Sequence, residues 1–168
     1  MKVNKSLKLD HASVWVVVTV LTILALINVN IYQQEQLLAD GDVVIFELAP
    51  VDPRSLMQGD YMALNYRIAA SLRQSVKEEN KDGLFVINIT NQGVAQFVGI
   101  YQGERLQTDQ RVIQYRVRGG QVKLASNAFF FEEGRADEFA LAKYGEFRVD
   151  QTGKLLLSQM LDKDFNPI

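Results

Sequence analysis

The sequence predicts a mainly β protein with two short helices: a mixed antiparallel sheet or partly open barrel after one N-terminal transmembrane helix. Three observations lead there. A dense apolar block lies near the N-terminus, period-2 alternation recurs through the remainder, and glycine-bearing turns punctuate that alternation. With 168 residues the chain has room for one domain plus extras.

The apolar block comes first. From Ala12 to Gln34 no charged residue occurs, and the core Val14–Ile27 is almost wholly apolar. With its flanks to Tyr32 it reaches about 20 residues, the length of helix that crosses a hydrocarbon layer about 30 Å thick. A helix satisfies its own backbone polar groups in lipid, and Trp15 and Tyr32 fall near the two ends, where amphipathic rings prefer to sit. Nothing polar marks a second face, as a core helix would need. The run is long for the apolar region of a signal peptide and ends Leu26-Ile-Asn-Val-Asn-Ile-Tyr32, without an Ala-x-Ala-like site, so it reads as an uncleaved anchor.

Lys2, Lys5 and Lys8 precede the block; Glu35, Asp40 and Asp42 follow it. The positive-inside rule then predicts a cytoplasmic tail over 1–11, an anchor over 12–34 and an outer domain over 35–168. The expected location is the cytoplasmic (inner) membrane, with the lipid bilayer contacted through Ala12–Tyr32. Net charge is −2 overall; Lys2, Lys5, Lys8 and Asp10 give residues 1–32 a net +2, which leaves −4 for residues 33–168. A mildly acidic outer domain without a basic stripe argues against nucleic acid as partner.

Strands are expected at Val43–Leu48, Leu84–Thr90, Val94–Tyr101, Arg111–Arg118, Gln121–Ala125, Glu146–Asp150 and Lys154–Met160. In another, Met62, Leu64, Tyr66 and Ile68 share one face, with Asn65 and Arg67 on the other. Arg118-Gly-Gly-Gln121 is a two-residue hairpin signal, because glycine accepts positive φ at both turn positions. Asn91-Gln-Gly93 and Asp150-Gln-Thr-Gly153 each join another pair of strands. Two helices interrupt the strands. Ile68, Leu72 and Val76 recur every fourth residue, with Asp82-Gly83 closing the charged stretch after them. A shorter helix over Ala136–Lys143 is expected to bury Phe139 and Leu141. One sheet curled toward a barrel, with both helices packed on it, accommodates these elements.

Chemistry is constrained by what the chain lacks. It has no cysteine, which removes disulfides, thiol nucleophiles and thiolate metal sites. Its single His11 precedes the anchor, which removes a Ser-His-Asp triad and any His-rich metal site from the outer domain. No metal or cofactor is expected. The densest polar segment runs from Asp52 to Tyr66. Pro53 restricts its backbone, and Gly59-Asp60 reads as a tight turn feeding the strand from Tyr61. Asp52, Arg54, Asp60, Tyr61 and Tyr66 could form a ligand-facing cluster, with Arg54 gripping a carboxylate or phosphate in a bidentate way. In the alternative, Asp60 bonds turn amides, Arg54 pairs with Asp52, and the tyrosines pack on the sheet.

At these residues the chain resembles a family. Gly59-Asp60-Tyr61-Met-Ala-Leu64-Asn-Tyr66 matches the motif that names the GDYXXLXY-domain proteins, and Asp52-Pro-Arg54 precedes it. Phe131-Glu-Glu-Gly134, the acidic short helix with Glu138, and Tyr144–Gly153 are similar to the family's C-terminal half. The resemblance covers 41–163, with Ala69–Gly83 looking like an insertion. It implies a membrane-anchored domain found beside, or fused to, multi-pass membrane proteins, and it supplies no reaction. The Gly-Asp strand start also resembles that of membrane-anchored signal peptidases. On that alignment the nucleophile position falls on Val51, which cannot attack a carbonyl, leaving Ser55 with Lys77 or Lys81 as base.

Glu132, Glu133, Arg135 and Glu138 form the other charged cluster. Adjacent carboxylates on a strand point to opposite faces, so they do not make a glycosidase-like pair without a bend. They read either as a partner or rare metal site, or as a solvated loop capping the helix that follows. Phe129, Phe130 and Phe131 cannot all face inward on one strand, so one is left to rest on the anchor, a partner or the membrane surface.

The leading expectation is a non-catalytic outer domain that docks on a multi-pass membrane partner. A small-ligand or envelope-polymer binding domain is the alternative, and a carboxylate-based hydrolase using Asp52/Asp60 or Glu132/Glu133 is the third. The candidate ligand or partner residues are Asp52, Arg54, Gly59, Asp60, Tyr61, Tyr66, Glu132, Glu133 and Arg135.

Overall fold

The computed structural model describes residues 11–49, 61–126 and 128–168. The chain divides into two units, one ending at Gln36 and the other spanning Leu37–Ile168.

Helix α1 spans His11–Asp40 and so continues past the end of the apolar block. From Ala12 onward it is long and apolar enough to cross a membrane, with a mean hydropathy of 2.4 over its most apolar window. Among the described residues, none of that window is buried. The few polar side chains in it turn back on the helix. The hydroxyls of Thr19 and Thr22 donate to the carbonyls of Trp15 and Val18, at 2.9 and 2.8 Å, and the Asn28 amide donates to Leu24 O at 2.8 Å. Bonds of this kind give polar groups partners where water is absent.

In chain order the second unit runs β1 (Asp42–Glu47), β2 (Tyr61–Ala63), α2 (Arg67–Ser75), β3 (Lys81–Ile89), β4 (Ala95–Ile100), β5 (Gln110–Arg118), β6 (Gln121–Lys123), β7 (Ala128–Phe130), α3 (Ala136–Phe139), β8 (Tyr144–Val149) and β9 (Leu155–Leu161). The mainly β, antiparallel fold with two short helices after an apolar one is borne out, and a sheet curls into a half-barrel. Among the described residues, hydrogen bonds divide the strands into three sheets, where the alternation suggested one: β1-β8-β9, the ribbon β2-β7, and β4-β3-β5-β6. Isolated bridges stitch them together, Ile45 to Val94 and Leu48 to Tyr66. The amide of Gln114 on β5 also donates to Gly153 O at 2.8 Å, beside the start of β9.

The inward faces share one apolar core that includes Phe46, Leu64, Tyr66, Leu72, Phe85, Ile113, Tyr115 and Phe147. Burying each large apolar side chain contributes about 1.5–3 kcal/mol relative to leaving it in water.

Four local expectations are corrected. Met62, Leu64, Tyr66 and Ile68 are all buried, but the strand ends at Ala63 and Ile68 lies in α2. Ile68 fits both periods, pairing with Tyr66 at spacing two and with Leu72 at spacing four, so the alternation runs on past the point where the backbone changes. Helix α2 stops at Ser75, and the Arg73 guanidinium donates to the carbonyls of Val76 and Glu78 and so braces the chain that leaves it. Asp82 and Gly83 open β3 instead of closing the charged stretch. Gly83 is required there by close approach: a Cβ would lie 2.7 Å from the Tyr115 hydroxyl and 2.8 Å from its ring. Helix α3 ends at Phe139, short of Lys143, and Leu141 beyond it is 66% exposed.

The β8–β9 turn yields two tests. Gly153 has φ +84°, and a Cβ there would meet Val112 O at 2.6 Å. Gly153→Ala should therefore lower the stability of the second unit by about 2–3 kcal/mol, whereas Gly99→Ala, which has open space, should change it by far less. Urea unfolding in detergent separates the two. In the same turn, burial alone would raise the Asp150 carboxyl. The Thr152 hydroxyl and the amides of Lys154 and Thr152 outweigh burial and hold it below the usual carboxylate range. The unfolded chain takes up this proton near pH ~3.9, the folded chain only at lower pH. The turn's contribution is thus full above about pH 4 and is lost as pH falls through the folded value. Asp150→Asn should flatten part of the acid side of a plot of urea midpoint against pH.

Candidate functional site

Of the nine residues singled out by sequence, Asp52, Arg54, Gly59 and Asp60 lie outside the described residues. Ser55 and Val51 lie outside them too. The remaining five are separated in role.

Tyr61 opens β2 and stands opposite Phe130 of β7, their rings 5.7 Å apart. Phe130 is 75% exposed, and Tyr61 is also exposed. One step along each strand, Met62 and Phe129 turn inward. Phe129 and Phe131 pack on Phe139 of α3 with ring centroids 4.9 and 5.0 Å apart. The ribbon thus has one greasy face sealed against the core and an aromatic pair on the other. Among Phe129–Phe131, the outward member is Phe130.

Tyr66 is a core residue. Its ring meets Phe46 and Phe147 edge-on at 6.1 and 5.7 Å, and its hydroxyl donates to the carbonyl of Ser126. Burial pushes the Tyr66 phenol well above its ordinary value, so it is a fixed donor and not a proton-transfer group at neutral pH. Its edge, with Asn65, Arg73 and Lys123, borders a groove of about 310 Å³ on α2 and β6. Ser126 in turn donates to Ala128 O, which shapes the entry into β7.

Glu132, Glu133 and Arg135 do not assemble into one cluster. Both glutamates are exposed in the turn before α3. The expected cap is not made: the N-terminus of α3 has no side-chain cap bond. Arg135 is committed to its own helix, holding Glu138 in a two-pronged pair at 2.7 and 2.8 Å, with its guanidinium 4.8 Å above the Phe139 ring. Donation by Arg135 to this carboxylate lowers the Glu138 pKa and raises that of Arg135. Lys81, considered above as a general base, bonds Glu78 at 2.6 Å, which raises its pKa and keeps its proton on. Among the described residues, no group of three or more His, Asp or Glu side chains is arranged to hold a metal ion.

Two further concavities went unread in the sequence. One, of about 220 Å³, lies between β1, β2 and α3 and is bordered by the Glu47–Arg67 ion pair at 3.0 Å. The other, about 610 Å³, is bordered by Asp82, Tyr115, Arg116 and Lys154. Its lining comes from positions 82 to 155, and no local pattern marks residues so far apart.

A family model described as "GDYXXLXY protein" matches residues 23–160 of the chain. No curated protein and no solved structure matches it.

Tyr66→Phe isolates the motif's last tyrosine. It should leave the Ser126 carbonyl without its donor and cost about 1–3 kcal/mol in urea unfolding, while the same change at exposed Tyr61 should leave stability nearly unaltered.

Proposed function

The chain belongs to the GDYXXLXY family, and from that premise we propose that it is a single-pass membrane protein whose outer domain is a non-catalytic docking module for an integral membrane partner. The observation that carries the reading is the exposed Tyr61–Phe130 pair. Two aromatic rings stand side by side on the outer face of a ribbon whose inner face is already satisfied by the core. Aromatic side chains supply large contact area at low entropic cost and recur as anchors at interfaces. The exposed carboxylates of Glu132 and Glu133, just beyond Phe130, suit a partner surface with an apolar pocket and a cationic rim.

The membrane part of the proposal is supported by α1, whose most apolar window has no buried residue among the described residues. The lysines before it and the acids after it favour a cytoplasmic N-terminus and an outer C-terminal domain in the cytoplasmic membrane.

Affinity purification of the full-length chain in mild detergent should recover an integral membrane protein in stoichiometric amount. Phe130→Ser combined with Tyr61→Ser should remove that protein from the eluate while leaving the melting temperature nearly unchanged, because both rings are on the surface. Repeated recovery of the chain alone, or equal recovery with the double variant, would overturn the reading.

A further inference from the structure

The groove beside β5 carries a second, separate inference. Register settles part of its charge. Arg116 on β5 stands opposite Asp82 on β3 and opposite Lys123 on β6, so all three project from one face. Asp82 is already engaged by Arg118, which reaches its two carboxylate oxygens at 2.5 and 3.0 Å. Arg116 acts on Asp82 only through space. Among the described residues, no carboxylate lies within ion-pair distance of Arg116, Lys123 or Lys154. Like charges directly opposite across strands repel. This row is left so in a domain that carries a net −4 from residue 33 onward, where acidic side chains are abundant.

Lys154 is held beside β5 by a built contact. The Gln114 backbone amide donates to Gly153 O at 2.8 Å, and its side-chain amide donates to Thr152 O at 3.1 Å. The turn carrying Lys154 is thereby tied to the strand carrying Arg116, and both residues border the same groove of about 610 Å³. Leu124 and Leu155 border it as well. The groove therefore presents two cations that make no ion pair with a described residue, the Lys154 ammonium acting on Asp150 only through space. They stand beside an Asp82 already held by Arg118 and over apolar atoms of Leu84, Leu124 and Leu155, with a third cation across the strand.

We propose that this groove binds a phosphate-bearing anion attached to an apolar body. A guanidinium offers two parallel donors that match phosphate oxygens, and an ammonium adds a second point charge suited to a dianion. The apolar lining accepts the part of the ligand that carries the phosphate. That chemistry is met by a free phosphate ester and by an anionic lipid headgroup alike. The site does not involve the Tyr61–Phe130 face, so it stands or falls independently of the docking reading.

The test is calorimetric titration of the full-length chain in a neutral detergent at low ionic strength. The probes are inorganic phosphate and dihexanoyl phosphatidic acid. Saturable binding of at least one is expected, weakened about tenfold by Arg116→Gln or by Lys154→Gln, as befits loss of one charge-assisted contact. Binding should be abolished in the double variant and unchanged in Lys77→Gln, an exposed lysine outside the groove. Measurable binding of inorganic phosphate with tighter binding of the lipid analogue identifies a free phosphate ester; binding of the lipid analogue alone identifies a headgroup on its apolar tail. Binding of the analogue no tighter than that of inorganic phosphate would overturn the apolar body. Circular dichroism confirms that the surface variants remain folded. Absence of saturation by either probe, or wild-type affinity in the double variant, would overturn the proposal.

Discussion

The β-rich unit from Leu37 onward depends on the contact of three aromatic rings, Phe46 of β1, Phe147 of β8 and Tyr66 at the start of α2. Phe46 and Phe147 meet edge-to-face at 5.4 Å, and Tyr66 closes the triangle on both. Its place follows from how the strands are bonded. Three sheets joined by isolated bridges have few ladder hydrogen bonds to hold them against one another. Their arrangement must come from the shared interior, and edge-to-face rings add a geometric preference to the area they bury. A buried phenol also needs an acceptor. Tyr66 finds one in the Ser126 carbonyl, which links the end of the motif to the segment feeding β7. The final tyrosine of the GDYXXLXY motif is thus a structural requirement.

That interior leaves certain surface groups without a structural task. Tyr61 and Phe130 add little to the core, since the next residue along each strand, Met62 and Phe129, already seals it. Arg116 and Lys154 make no ion pair with a described residue, whereas Arg111, Arg118 and Arg135 each have a carboxylate partner. Groups that the fold does not use are where binding is to be sought, because fold alone does not specify function. The two surfaces differ in chemistry, one aromatic with an acidic border and the other cationic with an apolar lining, and so they suit different partners.

Much of the architecture was legible along the chain. The turns Asn91–Gly93, Gly119–Gly120 and Asp150–Gly153 stand where strands reverse, and their glycines have positive φ. The alternation in Arg111–Arg118 places Ile113, Tyr115 and Val117 inward and Gln114, Arg116 and Arg118 outward. The same alternation misled at Ile68, which serves a strand period and a helix period equally well. The candidate site was less legible. Tyr61 and Tyr66 drew attention together as members of one motif, yet one lies on the surface of the ribbon and the other in the core at the start of α2. Arg135 was grouped with Glu132, Glu133 and Glu138, and of these it is Glu138, one helical turn on, that it holds.

The sequence by itself determined the apolar helix, most of the strands, the turns that reverse them and the inward side of strands such as Arg111–Arg118. All of these follow from residues within a few positions of one another, where periodicity and turn chemistry act. Only the tertiary structure decided that the strands sort into three sheets, that Phe130 is the outward member of Phe129–Phe131, and that Arg116 and Lys154 border one groove. Such pairings depend on register between segments tens of residues apart, and many registers satisfy the same local pattern. The packing of one shared core selects among them.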